Sequence, residues 1–169
     1  MPSTETCPGC GAVVPAMSGP VHRYMTSAPG CWAMFGEVTS RIRGLRDAVA
    51  LQNAVDAFAV QHCGDDSPQA AQSVAGHLIL LYARLEIGLP LDQAFALLKR
   101  VIAVKGVYAA LEPPSFPLTV RHPHDAPDQA SLAPRALEWA QSAWKAWTPH
   151  HAQITSWYDL HAGSDRGRD

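Results

Sequence analysis

Gln69-Ala-Ala-Gln-Ser-Val-Ala-Gly-His-Leu-Ile-Leu-Leu-Tyr-Ala-Arg-Leu-Glu-Ile87 is the stretch on which the reading of the fold turns. Val74, Leu78, Leu81 and Leu85 recur at three- and four-residue steps, the stripe of an amphipathic helix. Gly88 is its natural stop, since glycine takes the left-handed conformation at a helix end without a side-chain clash. Working outward, Pro90 and Asp92 open a following helix with a stripe of Leu91, Phe95, Leu98 and Ile102. Its last turns carry Lys99, Arg100 and Lys105, which suit the negative end of the helix dipole, and Gly106 ends it. Upstream, Leu51, Val55, Phe58 and His62 share one face of a helix that stops at Gly64-Asp65-Asp66-Ser67-Pro68. An earlier helix starts at Trp32 and breaks near Asp47. The short link Gly88-Leu89-Pro90 predicts antiparallel neighbours.

Residues 112–130 are interrupted by five prolines and predict a long segment that is not helical, a kind usually functional or disordered. Ser131 and Pro134 then start a fifth helix bearing Leu137, Trp144 and Trp147. Thr148-Pro149 caps a last one with His150, Ile154, Trp157 and His161 on one face, and residues 163–169 read as a frayed polar tail. The expected fold is mostly α: an antiparallel helical bundle of five or six helices with an N-terminal zinc-stabilised loop module. At 169 residues the chain suits a single domain, with residues 1–31 as the module and 32–162 as the helical body.

Residues 1–31 are rich in glycine and proline and carry little periodicity, so something other than an apolar core must fix them. Cys7-Pro-Gly-Cys10-Gly11 is a knuckle-like turn that aims two thiolates at one ion. His22 and Cys31 follow at loop distances, giving C-x2-C-x11-H-x8-C as the expected metal set Cys7, Cys10, His22 and Cys31, with zinc as cofactor. His62 and His77 are substitutes for the later two ligands. Redox use of Cys7 and Cys10 is the competing reading, although such pairs follow a strand and none is expected here.

Asp56, His62 and His77 form a second constellation on adjacent predicted helices. If they face one another they offer an open metal position or a carboxylate-oriented imidazole, hence a metal-dependent enzyme. The plainer account is a set of hydrogen-bonded histidines at the edge of the core. Cys63 follows His62 directly and reads as a buried or helix-end thiol, not its nucleophilic partner. His122 and His124 flank Pro123 in an expected extended stretch, one side of which both would face. The tryptophans read as packing anchors.

A net charge of −2 supplies no cationic field, so nucleic acid and anionic membrane are not expected partners, and a protein or small-molecule partner is left open. Arg41, Arg43 and Arg46 read as a solvated helix face. The first residues lack the pattern of a secretory signal and no apolar run reaches the length of a membrane span, which leads to the expectation of a cytoplasmic protein with reduced thiols. No Gly-rich phosphate loop, Gly-x-Ser-x-Gly elbow or His-Glu-x-x-His pair occurs.

Five segments, Cys-Pro-Gly-Cys-Gly (7–11), Gly-Pro-Val-His-Arg-Tyr (19–24), Ser-Ala-Pro-Gly-Cys-Trp (27–32), Val-Asp-Ala-Phe-Ala-Val-Gln-His (55–62) and Ser-Val-Ala-Gly-His-Leu (73–78), together resemble an uncharacterised bacterial family, domain of unknown function 5946. The resemblance spans most of the chain, with a weaker match from Trp139-Ala140 through His151, and implies no activity. The functional expectation is a zinc-binding protein with a mainly structural metal. The alternatives are the enzyme built on Asp56, His62 and His77, or a partner-binding adaptor that presents the zinc module.

Overall fold

A computed structural model describes residues 3–163. Two short strands, β1 (Thr4–Thr6) and β2 (Val13–Pro15), pair antiparallel with Glu5 opposite Val14. Seven helices follow: α1 (Pro29–Leu45), α2 (Ala48–Gln61), α3 (Pro68–Leu85), α4 (Leu91–Ala103), the single turn α5 (Arg121–His124), α6 (Leu132–Ala146) and α7 (His151–Ala162). The mostly α class expected from the sequence is the observed one. No described helix is long and apolar enough to cross a membrane. The expected tail falls largely on residues 164–169, outside the described residues.

The helix boundaries follow local chemistry. Arg46 closes α1 in the left-handed region at φ 55°, and Asp47 then caps α2, its Oδ1 accepting from the Ala50 N–H at 2.9 Å. Ser67 caps α3 in the same way through Ala70, with Pro68 in the first turn where its missing N–H costs nothing. On α3, Val74, Leu78 and Leu81 are buried as the stripe predicts.

The core is centred on α2, which packs against α1, α3 and α6. Trp139 of α6 and Trp147 just past its end, both fully buried, reach to the C-terminal end of α2. The Trp139 indole N–H donates to Gln61 Oε1 at 3.1 Å, and that of Trp147 to the Val60 carbonyl at 3.3 Å. Gln61 in turn donates to the Leu118 carbonyl at 2.7 Å, so the proline-rich segment is tied to the same helix end. These bonds satisfy polar groups at a buried helix terminus that would otherwise be orphaned.

Several expectations need correction. The module is not wholly irregular: β1 and β2 form a hairpin, and α1 begins at Pro29, so Cys31 lies in its first turn. The proline-rich segment contains the one-turn α5, held because Arg41 donates to the carbonyls of His124 and Ala126 and Arg135 to those of His122 and Asp125. His122 and His124 are therefore not on an extended strand; His122 pairs with Glu138 at 2.6 Å, and His124 with Glu37 at 3.0 Å and Asp125 at 2.9 Å. On α4 the buried residues are Ala94, Leu97 and Val101, whereas Phe95 and Ile102 of the expected stripe are 40% and 49% exposed. Leu137 on α6 is likewise exposed.

Candidate metal centre

The knuckle is built by the backbone of the β1–β2 hairpin. Cys7 N–H donates to the Ala12 carbonyl at 2.8 Å and Gly11 N–H to the Cys7 carbonyl at 3.0 Å, closing a turn that places both thiols inward. Gly11 sits at φ 76°, a conformation open to glycine. Gly9 is needed for space: a β-carbon there would fall onto the Thr26 carbonyl oxygen and within 2.5 Å of His62 Cδ2. Cys31 joins from the first turn of α1. His62 arrives at the end of α2, where the chain leaves helical geometry at φ −129°, ψ 68°.

Cys7, Cys10, Cys31 and His62 are all buried, and their ligand atoms lie within 4.8 Å of one another. Cys7 Sγ is 3.5 Å and Cys31 Sγ 3.4 Å from His62 Nε2, and Cys10 Sγ is 3.8 Å from Cys31 Sγ. The orientation of the imidazole is fixed from behind. His62 Nδ1–H donates to the Phe58 carbonyl at 2.7 Å, which leaves Nε2 with its lone pair toward the sulfurs. The ring also stacks on Phe58 at 3.9 Å between centroids, and Phe58 stacks on Phe35 at 4.1 Å.

Electrostatically the cluster asks for a cation. The neighbouring Cys10 and then Cys31 side chains hold the Cys7 thiol far below the ordinary thiol range. Cys31 is pushed far the other way by the same contacts with Cys10 and Cys7, since a second and third negative charge cannot share one buried site unaided. A divalent cation removes that penalty and allows all three thiols to ionise. The Ala28 N–H, 3.4 Å from Cys7 Sγ, and the positive end of α1 beside Cys31 suit the negative charge left over.

Of the expected ligands, Cys7, Cys10 and Cys31 converge and His22 does not. His22 is a half-buried loop residue whose Nδ1 accepts from the Tyr24 N–H at 3.2 Å and whose ring lies 5.7 Å from that of Trp32. His62, held as a substitute, stands in the fourth position. The Asp56, His62 and His77 constellation is thereby divided. Asp56 is fully buried and its Oδ1 lies 2.8 Å from His77 Nδ1, while Gln52 donates to the same oxygen at 2.7 Å. Arg84 spans Asp56 Oδ2 at 3.5 Å and Asn53 Oδ1 at 2.8 Å. This is a closed polar network between α2 and α3 that His62 does not enter. Cys63 points its Sγ toward the Val60 carbonyl at 3.5 Å, and burial pushes its thiol up to about 12.

A family model matches residues 5–148, which takes in all four clustered residues and the tryptophan anchors of α6. The chain belongs to a family of unknown function, DUF5946. No curated protein and no solved structure matches this DUF5946 member.

Proposed function

We propose that Cys7, Cys10, Cys31 and His62 hold one zinc ion whose role is structural. The observation that carries this reading is the shape of the tetrad. With zinc–sulfur bonds of about 2.3 Å and zinc–nitrogen bonds of about 2.0 Å, a regular tetrahedron has sulfur–sulfur edges of about 3.8 Å and sulfur–nitrogen edges of about 3.5 Å. Three of the six edges here match it, at 3.8 Å for Cys10 to Cys31 and 3.5 and 3.4 Å for Cys7 and Cys31 to His62, and all six fall within 4.8 Å. Three soft thiolates and one imidazole in a tetrahedron favour zinc over magnesium or calcium. An iron–sulfur cluster would need its ligands spread over more than one metal, wider than this tetrad.

The structural role follows from the ligand count and the burial. All four corners are protein side chains, so no corner is free for water or substrate. The ion would join the hairpin, the start of α1 and the end of α2, adding a bond network to the apolar contacts of Trp32, Phe35 and Phe58 beside it. The enzyme reading loses His62 to the metal site, and what is left of it, Asp56 with His77, is bonded to Gln52 and Arg84, the latter held in turn by Asn53. Such a network stabilises the packing of α2 on α3.

Cobalt substitution tests the ligand set. Protein refolded with cobalt(II) should show thiolate-to-metal charge-transfer bands and the intense visible bands of a tetrahedral site. Weak bands of a six-coordinate ion, with no thiolate charge transfer, would overturn the assignment.

A further inference from the structure

Helix α4 turns away from the core the face that its sequence makes most apolar. Leu91, Phe95, Leu98 and Ile102 lie on one stripe, roughly 100° around the axis from the buried Ala94, Leu97 and Val101. Phe95 and Ile102 are exposed, Leu91 is half-exposed, and Leu98 leans partly on Gly76 of α3. A two-turn row containing an exposed phenylalanine and isoleucine is a contiguous apolar strip, not a scatter of single residues.

The charges beside the strip specify its partner. Asp92 and Lys99 are both exposed and, at seven residues apart, sit about 20° from each other on the flank facing away from the core. Neither makes a salt bridge among the described residues. In heptad terms the strip supplies the a and d positions, with Leu91 and Leu98 at d and Phe95 and Ile102 at a, and Asp92 and Lys99 occupy successive e positions. When a helix of this pattern lies antiparallel on its own copy, a packs on d: Leu91 on the second copy's Ile102 and Phe95 on its Leu98. The e positions then meet, and Asp92 of each copy faces Lys99 of the other. A parallel pairing would bring e opposite g, which here is the buried Ala94 and Val101, and would leave both charges unmatched.

We propose that α4 is a homodimer interface, in which a second copy of this chain seats its own α4 antiparallel on the Leu91, Phe95, Leu98 and Ile102 strip. The proposal does not depend on the metal centre. A pair of helices of this length is a small interface, so association in the micromolar range is expected.

Sedimentation of the full zinc-loaded chain from about 1 to about 200 µM tests it, since that range brackets a micromolar equilibrium. A concentration-dependent monomer–dimer equilibrium is expected, abolished in Phe95→Glu. Asp92→Lys and Lys99→Asp, which alter exposed side chains only and keep the fold, should each weaken dimerisation by about tenfold, because each sets like charges opposite at two symmetric places. The double variant Asp92→Lys with Lys99→Asp should restore it. A wild-type chain that stays monomeric throughout overturns the proposal and assigns the strip to another partner. A dimer indifferent to Phe95→Glu, or a charge swap that fails to restore pairing, overturns it too.

Discussion

The imidazole of His62 and the carbonyl of Phe58, one turn back on the same helix, are joined by a 2.7 Å hydrogen bond, and this bond selects the nitrogen that faces the three thiols. It forms because α2 ends there: His62 is the residue at which the helix stops, and a free C-terminal carbonyl is within reach of its ring. The Cys7, Cys10, Cys31 and His62 tetrad is thus coupled to the packing of α2. Whatever holds the last turn of α2 also holds the fourth member of the tetrad.

Trp139 and Trp147 are two such holders. Trp139→Phe removes the donor to Gln61 Oε1 and leaves it unpaired, and Trp147→Phe leaves the Val60 carbonyl only the weak contact of the Cys63 thiol. Each should cost about 1–3 kcal/mol in chemical denaturation. Each should also speed zinc transfer to a chromogenic chelator without changing the stoichiometry of the loaded protein. The readout separates a support residue from a ligand.

The Asp56 network predicts the opposite separation. Asp56→Ala strands Arg84 and His77 around a vacated anion site, and a loss of about 3–5 kcal/mol is expected for breaking a buried ionic network on one side. Zinc content measured on the folded fraction should be unchanged, because no member of that network touches the tetrad. Loss of zinc in proportion to the altered residue, with the helices intact, would show that the two sites are one.

His161 makes acid the weak side of the α4–α7 contact. Burial and then the charge of Arg100 hold its ring below the ordinary histidine value, and its Nε2 lies 2.6 Å from the Tyr108 hydroxyl. The unfolded chain therefore binds a proton here more readily than the folded one. Stability from this group is present above the unfolded value of about 6.5 and is lost as pH falls below it. Thermal midpoints at pH 7 and pH 5.5 should differ less in His161→Gln than in the natural chain, with zinc loss in acid common to both. An equal difference in the two proteins would contradict this sign.

The helices were legible because their apolar period is written locally: the stripe of α3 and the caps at Asp47 and Ser67 need no knowledge of the rest of the chain. The Cys7 and Cys10 knuckle was legible for the same reason, since two residues of spacing determine its geometry. His62 was not. It lies 31 residues beyond Cys31 and reaches it only through the packing of α2 on α1, so ligand spacing pointed instead to the nearer His22. A signal existed, in that His62 extends an apolar stripe to the end of its helix, where a polar ring needs a buried partner. The α4 stripe misled because its more apolar face is the exposed one, while the core side is filled by Ala94, Leu97 and Val101. The two strands, three residues each, are too short to carry an alternating pattern.

Metal content is the most direct test of the central claim. Protein purified under reducing conditions should contain one zinc per chain by elemental analysis. His22→Ala should retain it in full, whereas His62→Ala should retain little after dialysis against a weak chelator, because a closed tetrahedral site that loses a protein ligand opens to water and exchange. Full zinc in His62→Ala together with loss in His22→Ala, or wild-type protein without zinc, would contradict the account.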